Sequence, residues 1–321
     1  MNVFITRLIP EKALTMIAAV CTVDTWQGDD PPPYDQLIER VRGVDGLLCM
    51  LTDQIDGGLF AAAGSSLKVV SQMAVGYDNI DIAAAHARGV VVGNTPGVLT
   101  EATADLTLTL LLAAARRIPE SAAAIRDGKW TTWRPMELLG RDLAGATLGI
   151  VGFGRIGQAV AARARGFGMN MLAYSPSLTD DNAAMFGAQK RELDDVLAES
   201  DFVSLHLPLN AHTRRLMNAE KFALMKRDAI LINTARGGVV DQPALLEALQ
   251  NGVIGGAALD VTDPEPMPPD HALLSLPNVL IVPHIGSATY KTREKMAVMA
   301  AENLIAGIGG EPLPNPIRAN P

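Results

Sequence analysis

Aromatic residues are scarce in this chain, 4% of 321 positions, and cysteine is rarer still, at two. So few cysteines exclude a disulfide framework. Cys21 and Cys49 lie in the apolar runs AAVCTV and GLLCML and read as buried thiols of a cytoplasmic protein. There is no Lys/Arg run, and the formal net charge is −8. That balance argues against a phosphate-backbone partner, so nucleic-acid binding is not expected. Long apolar runs are also missing. The longest, LTLTLLLAAA at 106–115, falls well short of the roughly 20 residues that span a bilayer. The opening MNVFITRLIP has too short an apolar stretch for a secretory leader and reads as a first strand. A soluble protein with no membrane partner is expected. His86, His206, His212 and His271 have no metal-ligand spacing, and no metal is assigned.

Hydrophobic residues make up 48% and charged residues 19%, enough apolar material for an ordinary globular core. The length implies two domains at roughly 100–200 residues each. Short strand-like runs (VFIT, GLLCML, LKVVSQM, GVVVGN) alternate with helical ones such as YDQLIERVRG. That alternation predicts a parallel sheet covered by helices. A long, almost wholly apolar helix is expected from Thr100 to Ile118, with Thr100 as its N-cap and Glu101 in its first turn. Its apolar surface suits a domain junction or a subunit interface.

The strand pattern restarts at TLGIVGFG and continues through MNMLAY, DFVSLHLP, AILINTA, GGAALDV and NVLIVPH, a second unit of about six strands. A last helical run, SATYKTREKMAVMAAENLIAGI, brings no strand with it and is expected to return to the first domain. The expected fold is α/β: two doubly wound, Rossmann-like parallel sheets. Residues 1–99 with 288–321 form a discontinuous substrate domain, and 100–287 form a dinucleotide domain.

Gly152, Gly154 and Gly157 make G-x-G-x-x-G between an apolar strand and a helix, the context in which that spacing acquires a mechanism. The first glycine turns the chain tightly and the second lets backbone approach a pyrophosphate. The third lets helix and strand pack closely, with the phosphates on the helix N-terminus. A carboxylate about 20 residues further on normally holds the adenosine ribose. Here Ser175 of AYSPSLTD stands in that region instead. Serine removes the charge that would repel a 2′-phosphate, so NADP is the expected cofactor, NADPH preferred and NADH possible. No Arg adjoins Ser175 to clamp the phosphate.

Arg236, Glu265 and His284 each follow an apolar strand of the second unit. Ligands of doubly wound sheets gather at the carboxyl ends of strands, so the three can face one crevice. An Arg fork binds a carboxylate by two parallel bonds. An imidazole can hand a proton to a developing alkoxide, and a carboxylate on its other nitrogen fixes the tautomer. Such a set suits reduction of a 2-oxo acid.

The motifs VGFGRIGQAVA, INTARGGVVDQPALLEAL, GGAALDVTDPEP and VPHIGSAT together resemble the D-2-hydroxyacid dehydrogenase family over nearly the whole chain. LDVTDPEPMPPDHALLSLPNV, PHIGSATYKTR and WTTWRP are most similar to its glyoxylate reductase/hydroxypyruvate reductase branch. The resemblance implies that Arg236 binds the substrate carboxylate, His284 is the acid/base and Glu265 is its partner. It implies substrate contacts from the backbone N–H groups of Val75 and Gly76, and from Trp133, reaching across a homodimer interface. Cofactor contacts are implied for Thr103, Arg155, Ile156, Thr213, Asn233, Thr234, Ala235, Asp260 and Gly286, with His206, Leu207, Pro208 and Leu209 bordering the adenine.

The expected activity is NADPH-dependent reduction of glyoxylate and hydroxypyruvate to glycolate and D-glycerate. Another NAD(P)-dependent D-2-hydroxyacid dehydrogenase is the alternative within the enzyme class. A phosphoglycerate dehydrogenase fits less well, because nothing beyond residue 310 can form the extra regulatory domain such enzymes often carry. A nucleotide-sensing, corepressor-like scaffold is the alternative outside it.

Overall fold

The computed structural model describes residues 1–318. The last three residues of the expected substrate domain lie outside the described residues. The chain divides into two compact units, Met1–Leu99 with the segment from Ala288 onward, and Thr100–Ser287.

The first unit carries β1 (Asn2–Ile5), β2 (Thr22–Thr25), β3 (Gly46–Cys49), β4 (Val69–Gln72) and β5 (Val91–Gly93), all parallel, in the order β2-β1-β3-β4-β5. That is five strands where four were expected. The extra one, β2, reads TVDT, lies at the sheet edge and is never fully buried, so it lacks the apolar run that announces its neighbours. Alternate residues feed the two faces. Phe4, Leu47, Cys49 and Val70 enter one core, and Val3, Ile5, Leu48 and Val69 the other. Burial on both sides is what a parallel sheet requires. The helix Tyr290–Gly309 covers the second face with Met296, Ala297, Ala300, Leu304 and Ile308. Its start is fixed by Thr289, whose hydroxyl accepts the Thr292 N–H at 3.2 Å.

The second unit carries β6 (Thr147–Val151), β7 (Asn170–Tyr174), β8 (Gln189–Lys190), β9 (Phe202–Leu205), β10 (Ile230–Asn233), β11 (Gly256–Leu259) and β12 (Val279–Ile281). All run parallel, in the order β12-β11-β10-β9-β6-β7-β8. Seven strands replace the six expected. β8 has two residues, both polar, and gives no periodic signal. Here too the period is two: Ile150, Phe202 and Ile232 enter one core, while Val151, Val203 and Leu231 enter the other. The strand order reverses between β6 and β9, so the crevice for a ligand lies at their carboxyl ends.

The helix expected from Thr100 to Ile118 is two helices, Thr100–Ala115 and Ile118–Arg126, joined through Arg117 at φ 51°. Pro119 explains the break. It has no N–H to offer the Ala115 carbonyl, which accepts the Arg141 N–H instead at 2.8 Å. Thr100 is already helical rather than a cap. Among the described residues no helix is long and apolar enough to cross a membrane.

Candidate active site

The glycine loop leaves β6 and enters the helix Arg155–Ala164. Gly152 has φ +98°, and a Cβ there would stand 2.6 Å from the His206 carbonyl oxygen. A Cβ on Gly157 would stand 2.3 Å from the Gly152 carbonyl oxygen. One glycine therefore makes the turn and another allows helix and strand to close up. Gly154 differs: a Cβ there would meet nothing within 4 Å. Its open face exposes backbone beside the first-turn N–H groups of Arg155, Ile156 and Gly157, which have no helical partners. That combination fits a dinucleotide pyrophosphate.

Across the strand-order reversal, β9 runs into His206, Leu207 and Pro208. The His206 N–H donates to the Val151 carbonyl at 2.7 Å, tying the two strand ends together. Its Nε2 lies 2.8 Å from the Ser204 hydroxyl, while its Nδ1 is enclosed and meets no hydrogen-bond partner among the described residues. Burial pushes this imidazole down to about 3, so it stays neutral. Thr213 braces the same segment, donating from Oγ1 to the Pro208 carbonyl at 2.6 Å.

Ser175 directly follows β7 and is half-buried. Arg191, just past the neighbouring β8, donates its backbone N–H to the Ala173 carbonyl at 3.0 Å, while its guanidinium bonds the Lys190 carbonyl at 3.1 Å and Gln189 Oε1 at 2.9 Å. The strand before it was too short to detect in the sequence.

Three adjacent strands, β10, β11 and β12, present the remaining groups at their carboxyl ends. At the end of β10, the buried Asn233 braces the turn that carries Arg236. Its Oδ1 accepts the Ala235 N–H at 3.0 Å, and its Nδ2 donates to the Arg236 carbonyl at 2.9 Å. Thr234 is buried, its hydroxyl 2.9 Å from that of Thr107. Arg236 is half-buried and donates from Nη1 to the Ala235 carbonyl at 2.8 Å. Gly237 packs on the Thr262 carbonyl so closely that any side chain would collide, which joins this turn to the one bearing Glu265.

Beyond β12, His284 takes the left-handed conformation, φ 51°. Its Nδ1 lies 2.5 Å from Glu265 Oε1, and Glu265 Oε2 accepts the Thr262 N–H at 3.4 Å. With Glu265 ionised, that contact assigns the proton to Nδ1 and leaves Nε2 as the nitrogen able to exchange one. Asp260 is almost fully buried, and its two oxygens accept the N–H groups of Ile285 and Gly286 at 2.6 and 2.9 Å. Burial raises its pKa above the usual carboxylate range, opposed by those two donors and the His284 ring. Thr103 closes on the same loop, 3.4 Å from the Gly286 carbonyl.

The second unit alone thus gathers a glycine loop, a fixed arginine and a carboxylate–imidazole pair along the carboxyl edge of one sheet. The model of the D-isomer specific 2-hydroxyacid dehydrogenase, NAD binding domain, matches residues 108–286. The chain belongs to the D-isomer specific 2-hydroxyacid dehydrogenase family. A glyoxylate reductase of Korarchaeum cryptofilum is 52% identical over 315 residues, covering 98% of this chain and 95% of the relative. The glyoxylate reductase/hydroxypyruvate reductase of Homo sapiens is 44% identical over 321 residues, covering 99% and 98%. Among solved structures, an NADPH-dependent glyoxylate/hydroxypyruvate reductase from Sinorhizobium meliloti, in complex with NADP and malonate, superposes with a TM-score of 0.87. Its identity is 32%, with 98% of this chain and 96% of that one covered. As a member of the dehydrogenase family this chain is an oxidoreductase with an NAD-binding domain.

Val75 and Gly76 lie on the first unit, half-buried, in the segment that leaves β4. Trp133 stands on a loop of the second unit and is 79% exposed, near the exposed Trp130, Met136 and Leu139.

Proposed function

We propose that this dehydrogenase reduces glyoxylate and hydroxypyruvate, giving glycolate and D-glycerate, with NADPH preferred over NADH. The observation that carries the reading is the His284–Glu265 pair, held 2.5 Å apart on the sheet edge that also presents Arg236. Similarity to glyoxylate reductases and to a glyoxylate reductase/hydroxypyruvate reductase favours these two 2-oxo acids.

The residues fit a bound dinucleotide, since the open face of Gly154 and the free N–H groups after it receive a pyrophosphate. When bound, the nicotinamide supplies a hydride to the substrate's carbonyl carbon. Arg236 binds the substrate carboxylate and so orients the adjacent carbonyl. His284, protonated on both nitrogens, gives the Nε2 proton to the carbonyl oxygen as negative charge develops there. Glu265 keeps the ring aligned and stabilises its cationic form. Thr103, Asn233–Ala235, Asp260 and Gly286 line the nicotinamide side, and His206–Pro208 and Thr213 the adenine side.

The first unit is assigned to the substrate, with the N–H groups of Val75 and Gly76 on its carboxylate. Ser175 carries no charge and admits a 2′-phosphate. The exposed Trp130–Leu139 segment supports a homodimer in which Trp133 contacts the partner's substrate. Two unpaired thiols suit a cytoplasmic setting.

The test is kcat/KM for NADPH and NADH with glyoxylate, hydroxypyruvate and pyruvate. Turnover of the first two with NADPH is expected, and its absence with any 2-oxo acid overturns the proposal. His284→Ala is expected to abolish turnover and spare cofactor binding. Loss of both together would make that residue structural.

A further inference from the structure

The segment leaving β4 is held in an unusual way. Three successive carbonyls, those of Ala74, Val75 and Gly76, are each bound from the protein side. The Thr95 N–H donates to Ala74 O at 2.9 Å, Asn94 Nδ2 to Val75 O at 2.8 Å and Gln72 Nε2 to Gly76 O at 3.2 Å. A trans peptide is planar, with its N–H directed opposite its C=O. Fixing the Ala74 carbonyl therefore aims the Val75 N–H away from the protein, and fixing the Val75 carbonyl does the same for the Gly76 N–H. Neither N–H donates to any described residue. Adjacent, outward N–H groups of this kind form a concave receptor for an anion.

The two side chains that do the fixing are themselves immobilised. Asn94 follows β5; its N–H donates to the Asn315 carbonyl at 3.2 Å, and its carbonyl accepts from Asn303 Nδ2 at 2.9 Å. Around Gln72 the direction of each bond follows from the last. Asn79 Nδ2 donates to the carbonyls of Met50 and Asp53, at 3.1 and 2.8 Å, so Asn79 Oδ1 is an acceptor. Gln72 Nε2 must donate to it, at 2.7 Å, which turns Gln72 Oε1 toward Cys49 Sγ at 3.0 Å. The buried thiol completes the chain as a donor, and burial keeps it protonated. The amide of Gln72 therefore has one orientation available, with a hydrogen left for the Gly76 carbonyl.

We infer that Asn94 is a positioning residue: by holding the Val75 carbonyl it aims the Gly76 N–H, which with the Val75 N–H makes a two-pronged receptor for the substrate carboxylate, while Gln72 anchors the next peptide, between Gly76 and Tyr77. The inference rests on the proposed reduction of 2-oxo acids, but its receptor is measurable without turnover, because oxalate presents the same carboxylate and cannot be reduced at a 2-oxo carbon.

Asn94→Leu keeps the size and removes the donor. Asn94→Ala removes the same donor with less bulk. For each folded variant KM for glyoxylate and Kd for oxalate are expected to rise about tenfold or more, the scale of a lost charge-assisted hydrogen bond. Both kcat and NADPH affinity should stay within about threefold, a split that general loosening of the fold would not give. Should Asn94→Leu fail to fold, Asn94→Ala carries the test. Variants that bind oxalate and glyoxylate within twofold of the parent overturn the receptor while the parent's activity upholds the functional reading. A parent that reduces no 2-oxo acid, yet binds oxalate in an Asn94-dependent way, overturns the functional reading and leaves the receptor standing. A parent that does neither overturns both.

Discussion

The backbone N–H of His284 donates to the carbonyl of Asp260 at 2.9 Å, while the Asp260 carboxylate takes the next two N–H groups, of Ile285 and Gly286. One buried residue therefore binds three consecutive amides and holds His284 at φ 51°, a conformation that costs a non-glycine residue about 1 kcal/mol or more. The same strand end, β11, leads through Thr262 to Glu265, so one element sets both members of the imidazole–carboxylate pair.

Asp260→Asn tests that dependence. The amide keeps one acceptor but turns an NH₂ group toward a backbone N–H, leaving a buried donor without a partner. Unfolding free energy is expected to fall by about 1–3 kcal/mol. kcat is expected to fall by at least about tenfold as the His284 loop relaxes. Denaturant titration and steady-state kinetics check the two effects, and an unchanged kcat would show that the loop holds His284 without the carboxylate.

The glycine loop separates folding from binding. Gly157→Ala drives a Cβ against the Gly152 carbonyl, so thermal stability and nucleotide binding should both fall. Gly154→Ala meets open space, so the protein should melt within a degree or two of the parent. The added methyl would stand where backbone must approach the pyrophosphate, and the Kd for NADPH should rise at least about tenfold. Thermal melts beside cofactor titrations decide this. A Gly154→Ala variant with parental affinity would mean that the loop does not cradle the pyrophosphate.

Most of the fold was legible because it is written in period-two apolar runs. Every strand that enters a buried core from both faces was found, while the polar edge strand β2 and the two-residue β8 were not. The break after Ala115 was missed for a different reason. Apolar content runs through it, and the signal lies in one missing N–H at Pro119, four residues beyond Ala115. Of the candidate site, Arg236, Glu265 and His284 were legible because each polar residue follows an apolar strand. The supports were not: Asn94 and Arg191 reach Val75 and Ala173 through neighbouring strands, and adjacency in a sheet cannot be read from spacing.

Ser175 bears on cofactor choice. Ser175→Asp places a carboxylate at the end of β7, where it accepts bonds from ribose hydroxyls and repels a 2′-phosphate. The ratio of kcat/KM for NADPH over NADH is expected to fall by at least about tenfold. An unchanged ratio would show that this position does not read the 2′ end.

His206 supplies a pH test that is independent of catalysis. Its imidazole is pushed down to about 3 from an ordinary 6.5. The unfolded chain therefore binds a proton between those values that the folded chain refuses. The sign follows: stability contributed by keeping this ring neutral is full above pH 6.5 and is lost as pH falls toward 3. The limiting slope is roughly 1.4 kcal/mol per pH unit, reduced here because the residue as a whole is only half-buried. His206→Gln removes the titration while keeping a polar side chain beside Ser204. Between pH 7 and pH 5 the parent should lose about 1–2 kcal/mol more unfolding free energy than the variant. Equal losses would mean that the folded protein protonates this ring, and that its enclosed Nδ1 finds an acceptor when it does.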